Sequence, residues 1–140
     1  MAPDVPLLGF IGRLDFQKGP DLVLDALEEL ADRRCQVVML GSGVAEYEEK
    51  MREAENAYPH MYRGWVGFSV PVAHQILAGA DVLLMPSRFE PCGLNQLFAM
   101  RYGTIPIGHA TGGLRDTIDD FNAFASGTVA KDALRALVVR

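Results

Sequence analysis

Positive charge is scarce in this chain: 13 lysines and arginines stand against 18 aspartates and glutamates, a formal net charge of -5 over 140 residues. Nucleic acid and anionic membranes are bound through clustered cations, so neither partner is expected. Cysteine is scarce too. Cys35 and Cys92 stand in unlike surroundings and form no metal-spaced pair, so both read as reduced thiols without a structural disulfide. The three histidines, His60, His74 and His109, are scattered along the chain, which argues against a zinc site. No apolar run approaches the length of a bilayer span. The opening Met-Ala-Pro-Asp lacks the cationic and apolar pattern of a signal peptide. There is no internal repeat, no linker and no low-complexity tract.

What is present is ordinary for a folded domain, with 49% hydrophobic and 22% charged residues. Residues 1–140 suit one compact unit, and a chain of this length buries about two-thirds of its unfolded surface. Short, nearly continuous apolar runs at residues 7–11, 36–40, 82–85 and 105–107 predict strands buried on both faces of a parallel sheet, with another over 61–66. Between them lie helical spacings. Pro20 suits a first helical position ahead of Val23, Ala26, Leu27 and Leu30. Tyr47, Met51, Ala54 and Tyr58 mark a second helix, Val72, Ile76 and Leu77 a third. Leu97 and Met100 continue a helix beginning near Cys92 or Gly93, and a short helix is expected around 132–138. Strand and helix alternate, which predicts an open, Rossmann-like α/β sheet. Ligands of such sheets sit beyond the carboxyl ends of the strands.

The unusual residues collect at those ends. Arg13 and Lys18 flank a turn between the first strand and the first helix, with Gly12 and Gly19 beside them. An arginine fork, a lysine point charge and a helix start suit a phosphate; two solvated surface cations would give the same spacing. Ser87-Arg88-Phe89-Glu90-Pro91-Cys92-Gly93-Leu94-Asn95-Gln96 runs from a buried strand through a rigid turn into a helix whose first N–H groups need acceptors. Gly93 admits a close ligand, and Glu90 can accept hydrogen bonds from sugar hydroxyls. A dipole-favoured carboxylate in an ordinary turn explains each residue singly but not their concentration. Gly41-Ser42-Gly43 opens like a dinucleotide fingerprint, yet Glu46 stands where its third glycine belongs. Thr111-Gly112-Gly113 could cradle a phosphate through N–H groups or make a tight turn. Phe68 and Trp65 could stack on a base, although aromatics near a sheet more often belong to its core. Cys92 has no nearby histidine to make it a nucleophile, and no second acid faces Glu90 for hydrolysis.

Taken together, Gly12-Arg13-Leu14 with Gln17-Lys18-Gly19, the long motif from Ser87 to Leu97, Tyr102-Gly103-Thr104 and Thr111-Gly112-Gly113-Leu114 closely resemble starch synthases and bacterial glycogen synthases. The resemblance runs in order over residues 7–124. Gly64-Trp65-Val66-Gly67-Phe68 and His109-Ala110-Thr111 look more like the soluble plant and algal enzymes. It implies the C-terminal, ADP-glucose-holding domain of a two-domain GT-B enzyme that extends α-1,4-glucan with retention of configuration and without a metal or other cofactor. By the same resemblance Arg13 and Lys18 match the cations on the diphosphate, and Glu90 the acid beside the donor glucose, with Cys92 and Gly93 next to it. Leu94, Asn95 and Gln96 match the helix start on the distal phosphate, and Phe68 the ring against adenine. Thr111, Gly112 and Gly113 join the substrate-binding set. The glucan acceptor is expected to meet the other domain, and the compartment is a plastid for a plant or algal protein, the cytoplasm for a bacterial one.

Two departures stand out. The amino-terminal domain with its lysine-and-glycine donor motif is absent, and the chain after residue 125 is shorter than the family pattern, so isolated catalysis is not expected. A nucleotide- or glucan-binding module without catalysis is the alternative, and a dinucleotide-dependent oxidoreductase rests only on Gly41-Ser42-Gly43.

Overall fold

Among the described residues parallel strands alternate with helices: β1 (Leu7–Ile11), α1 (Pro20–Asp25), α2 (Leu27–Asp32), β2 (Gln36–Gly41), α3 (Ala45–Ala57) and β3 (Tyr62–Val66) form the first half. The second half is α4 (Val70–Gly79), β4 (Val82–Met85), α5 (Asn95–Tyr102), β5 (Ile105–His109), α6 (Gly112–Thr117) and β6 (Leu137–Val139). The structure, a computed structural model, describes residues 4–120 and the backbone of 137–139.

The sheet order is β3-β2-β1-β4-β5-β6, and every neighbouring pair is parallel. This is the doubly wound order, in which the chain builds outward from β1, returns through α4, and builds outward on the other side from β4. The carboxyl ends of β1 and β4 therefore lie side by side at the point where the winding reverses. Continuous apolar runs form the central strands because both sheet faces are covered. Leu8, Phe10, Val37, Met39 and Tyr62 pack with Val23, Leu27 and Met51 of the first-half helices. Leu77, Leu83, Met85, Ala99 and Leu114 make a second cluster.

The first strand's pairing continues past its end. Leu14 is fully buried, its N–H donates to the Ser42 carbonyl at 2.9 Å, and its own carbonyl accepts from Val44 N–H at 2.8 Å. Burying a leucine contributes about 1.5–3 kcal/mol, so the turn that carries Arg13 is anchored to the loop after β2.

Three expectations need correction. The helix expected from Pro20 onward is two, broken at Ala26, whose N–H turns back to the Leu24 carbonyl. The helix of the long motif begins at Asn95 rather than near Cys92 or Gly93, because Gly93 sits at φ 72°, a left-handed conformation outside any helix. The helix expected around 132–138 is contradicted where the backbone is described: Leu137 and Val138 belong to β6, paired with Ile107 and Gly108. The rest of that stretch, with the tail after 125, lies outside the described residues.

Candidate functional site

The ends of β1 and β4 bring the two principal motifs together. The Lys18 ammonium pairs with the Glu90 carboxylate; Glu90 is 6% exposed and the Lys18 side chain 23%. Ser87 Oγ donates to the same carboxylate at 3.4 Å, and Asp15 accepts the Lys18 backbone N–H at 2.9 Å. A Cβ placed on Gly93 would stand 3.1 Å from Glu90 Cγ and 2.6 Å from Gln96 Oε1. Lys18, Glu90 and Gly93 thus meet at one point, and a side chain on Gly93 would collide with Gln96 and Glu90.

Arg13 stands at the rim, its side chain 66% exposed. Its guanidinium donates to Gln17 Oε1 at 2.8 Å and lies 3.1 Å from the Asp15 carboxylate. The Gln17 amide in turn donates to the Phe89 carbonyl at 3.2 Å, which links Arg13 to the segment before Glu90.

Among the described residues no side chain caps α5. The first turn bonds of α5 run from Leu97 and Phe98 N–H to the Leu94 carbonyl, both at 3.0 Å, so the N–H groups before them lack helical acceptors. Gln96 is fully buried and holds this start in shape, donating to the Cys92 and Gly93 carbonyls and to Thr117 Oγ1, each at 3.1 Å. The Asn95 side chain donates across the sheet top to the Ile11 carbonyl at 2.8 Å. Cys92 is exposed and free, and Leu94 is exposed.

Thr111, Gly112 and Gly113 lie against this segment. The Gly113 N–H donates to the Glu90 carbonyl at 2.8 Å and the Thr111 N–H to the His109 carbonyl at 2.7 Å. Any side chain on Gly112 or Gly113 would strike the backbone of residues 90–92. The Gly113 N–H and the close approach of Gly112 and Gly113 brace the loop that carries Glu90.

A cavity of about 480 Å³, within the usual range for small-molecule sites, opens beside Arg13 and the start of α5 at Asn95. Arg13, Ser42, Phe68, His74, Asn95 and Phe98 are among its lining. Phe68 is 88% exposed and Trp65 52%, so the core reading of these two aromatics is corrected: both project from the end of β3 and the loop after it. Among the described residues no group of three or more His, Cys, Asp or Glu converges.

Sequence reasoning singled out neither Arg88 nor Asp21. Their side chains form a forked ion pair at 2.9 and 2.5 Å between residues 67 positions apart. The Arg88 hydrogen bond holds the Asp21 carboxyl below its ordinary value, and that same contact pushes Arg88 upward. Arg88 lay inside a highlighted motif, but nothing local announces so distant a partner. His74 was read as a scattered histidine, yet α4 sets it in the cavity wall, its Nδ1 2.8 Å from the Tyr102 hydroxyl.

Residues 2–138 match the family model described as glycosyl transferases group 1. Soluble starch synthase 1, chloroplastic/amyloplastic, of Solanum tuberosum is 67% identical over 125 residues, covering 89% of this chain and 20% of that protein. Starch synthase 1 of Arabidopsis thaliana is 62% identical over 127 residues, covering 91% of this chain and 20% of that protein. Among solved structures, the catalytic domain of starch synthase IV from Arabidopsis thaliana, bound to ADP and acarbose, superposes with a TM-score of 0.81 at 37% identity. The match covers 91% of this chain and 26% of that one. Sucrose-phosphate synthase from Thermosynechococcus elongatus shares the fold, with a TM-score of 0.69 at 23% identity over 84% of this chain and 31% of that one. The chain spans about a fifth of the length of the curated relatives it matches.

Proposed function

The chain belongs to the glycosyl transferases group 1 family, and on that premise we propose that it is the ADP-glucose-binding domain of a retaining, plastidial starch synthase. Glucose passes from ADP-glucose to the non-reducing end of an α-1,4-glucan, with the acceptor held by a second domain across the cleft. The observation that carries this reading is the meeting of Lys18, Glu90 and Gly93 at the β1/β4 switch point, next to a cavity of nucleotide size.

Breaking the bond between glucose and phosphate leaves negative charge on ADP and positive character on the sugar. In this reading no metal takes up that charge. The Lys18 ammonium spends one of its three N–H donors on Glu90 and keeps two for phosphate oxygens. Arg13 offers its fork from the rim, and the uncapped start of α5 presents backbone N–H groups to the distal phosphate. Such preset donors stabilise developing charge without reorganising. Glu90 lies where it can orient glucose hydroxyls, with Cys92 and Gly93 alongside, and exposed Phe68 offers its ring to adenine. Gly112 and Gly113 support the site by bracing the Glu90 loop, and Thr111 shapes the turn before them.

Calorimetry with ADP tests the reading. The folded chain is expected to release binding heat at or below millimolar ADP and none with NAD. One charge-assisted contact contributes about 1.5–3 kcal/mol, so Lys18→Ala should weaken ADP by tenfold or more, since about 1.4 kcal/mol is tenfold. Absence of ADP binding by the folded chain would overturn the proposal.

A further inference from the structure

Lys18 and Glu90 are 72 residues apart in sequence and meet only because two loops are held together. Gln17 precedes Lys18, and Arg88 stands two residues before Glu90. Arg88 makes four hydrogen bonds to the first loop and the start of α1. Its backbone N–H donates to the Gln17 carbonyl at 2.9 Å. One guanidinium nitrogen donates to the Phe16 carbonyl at 2.9 Å and to one Asp21 oxygen at 2.9 Å; the other nitrogen reaches the second Asp21 oxygen at 2.5 Å. The guanidinium carbon also lies 4.2 Å from the centre of the Phe16 ring. A planar fork that meets a carboxylate with two parallel bonds sets direction as well as distance, and the aromatic face limits its tilt. Close packing adds to this: a Cβ on Gly19 would stand 2.7 Å from the Pro86 carbonyl oxygen.

All three guanidinium bonds go to Phe16 and Asp21, so the pair acts on the site through the loops it joins. We propose that Arg88 and Asp21 form a clasp that positions the diphosphate-binding cation Lys18, and through Gln17 the cation Arg13, against the α5 start. This inference rests on the ADP-glucose reading. Without the clasp the loops sample separated arrangements, and apparent affinity falls by the fraction of time spent in the competent one. The effect concentrates on the distal phosphate, where the two loops must cooperate.

The experiment is a double-mutant cycle on the chain itself, with ADP and AMP as calorimetric probes. Arg88→Ala and Asp21→Ala should each weaken ADP about tenfold, taking a competent fraction near one tenth. The double variant should stay within twofold of either single one, because both remove one shared contact. AMP, which lacks the distal phosphate, should change less than threefold. An Asp21→Ala variant that binds ADP like the parent while Arg88→Ala does not would mean that Arg88 meets the phosphate directly, and the clasp falls. Equal losses for AMP and ADP would reduce the pair to general structural support and also overturn it. Where an alanine variant does not fold, Arg88→Lys and Asp21→Asn run the same cycle. Hydrogen exchange at the amides of residues 15–19, measured without nucleotide, separates the two readings. Tenfold faster exchange in the variants of a chain that fails to bind ADP supports the clasp and refutes the nucleotide reading; unchanged exchange refutes the clasp.

Discussion

Tyr62 is fully buried, and its hydroxyl has no hydrogen-bond partner among the described residues. Leaving a buried donor unmatched costs about 1–3 kcal/mol, so Tyr62→Phe should leave stability unchanged or raise it by up to about 1 kcal/mol in urea unfolding. Burial, with Glu55 adding a smaller like-sign effect, pushes the phenol of Tyr62 well above its ordinary value. Its folded form therefore keeps the proton that the unfolded chain gives up near pH 10. The unfolded state then binds fewer protons, so stability is intact below about pH 10 and declines as pH rises past it. Tyr62→Phe should remove that part of the alkaline loss, and an unaltered pH profile would show that the phenol titrates alike in the folded and unfolded chain. At this scale the chemistry of the candidate site was legible: Arg13, Lys18, Glu90 and Gly93 stand out by type and by place at strand ends. That Lys18 pairs with Glu90 was not legible, since no local pattern links positions 72 apart. Phe68 and Trp65 were ambiguous for the same reason, because an aromatic ring carries no mark of which side of the sheet rim it will occupy.

Strands and helices were read from periodicity because apolar runs of strand length and 3.6-residue stripes are local properties. β1 and β4 were expected at their observed bounds, and β2 and β5 only gain residues at their carboxyl ends. The late start of α5 depended on Gly93 entering a left-handed turn, which the sequence permits but does not require. The clearest element-scale test compares two glycines. Gly113, the second residue of α6, lies against the backbone of Cys92; its added Cβ would lie 2.6 Å from Cys92 Cα, and backbone cannot step aside as a side chain can. Gly113→Ala should cost about 1–3 kcal/mol, the scale of overpacking, and weaken ADP by shifting the Glu90 loop. Gly79, the last residue of α4, has nothing within 4 Å of a built Cβ. Gly79→Ala should stabilise by about 0.5–1 kcal/mol through helix propensity. Chemical unfolding of both variants measures the contrast, and equal losses would show that the α6 contact is not tight.

At the scale of the molecule, an acidic chain places its few site cations at the carboxyl ends of the central strands. The proposed transfer needs a second domain for the acceptor, and the chain spans a fifth of its starch synthase relatives. Mixing it with the separately expressed amino-terminal domain of the potato relative should restore glucosyl transfer from ADP-glucose to glucan, followed by incorporation of labelled glucose. Nucleotide binding without any turnover in the mixture would favour a binding module instead. By itself the sequence determined the strands β1 to β5 with helices between them, the parallel sheet and the stock of reactive side chains, because apolar period, turn residues and charge are written locally along the chain. Only the tertiary structure decided which of those side chains meet. The β1/β4 neighbourhood, the Lys18–Glu90 pair and the Arg88–Asp21 fork all arise from strands that pair across long loops. Such contacts are settled by sheet order and register, which depend on the packing of every element at once.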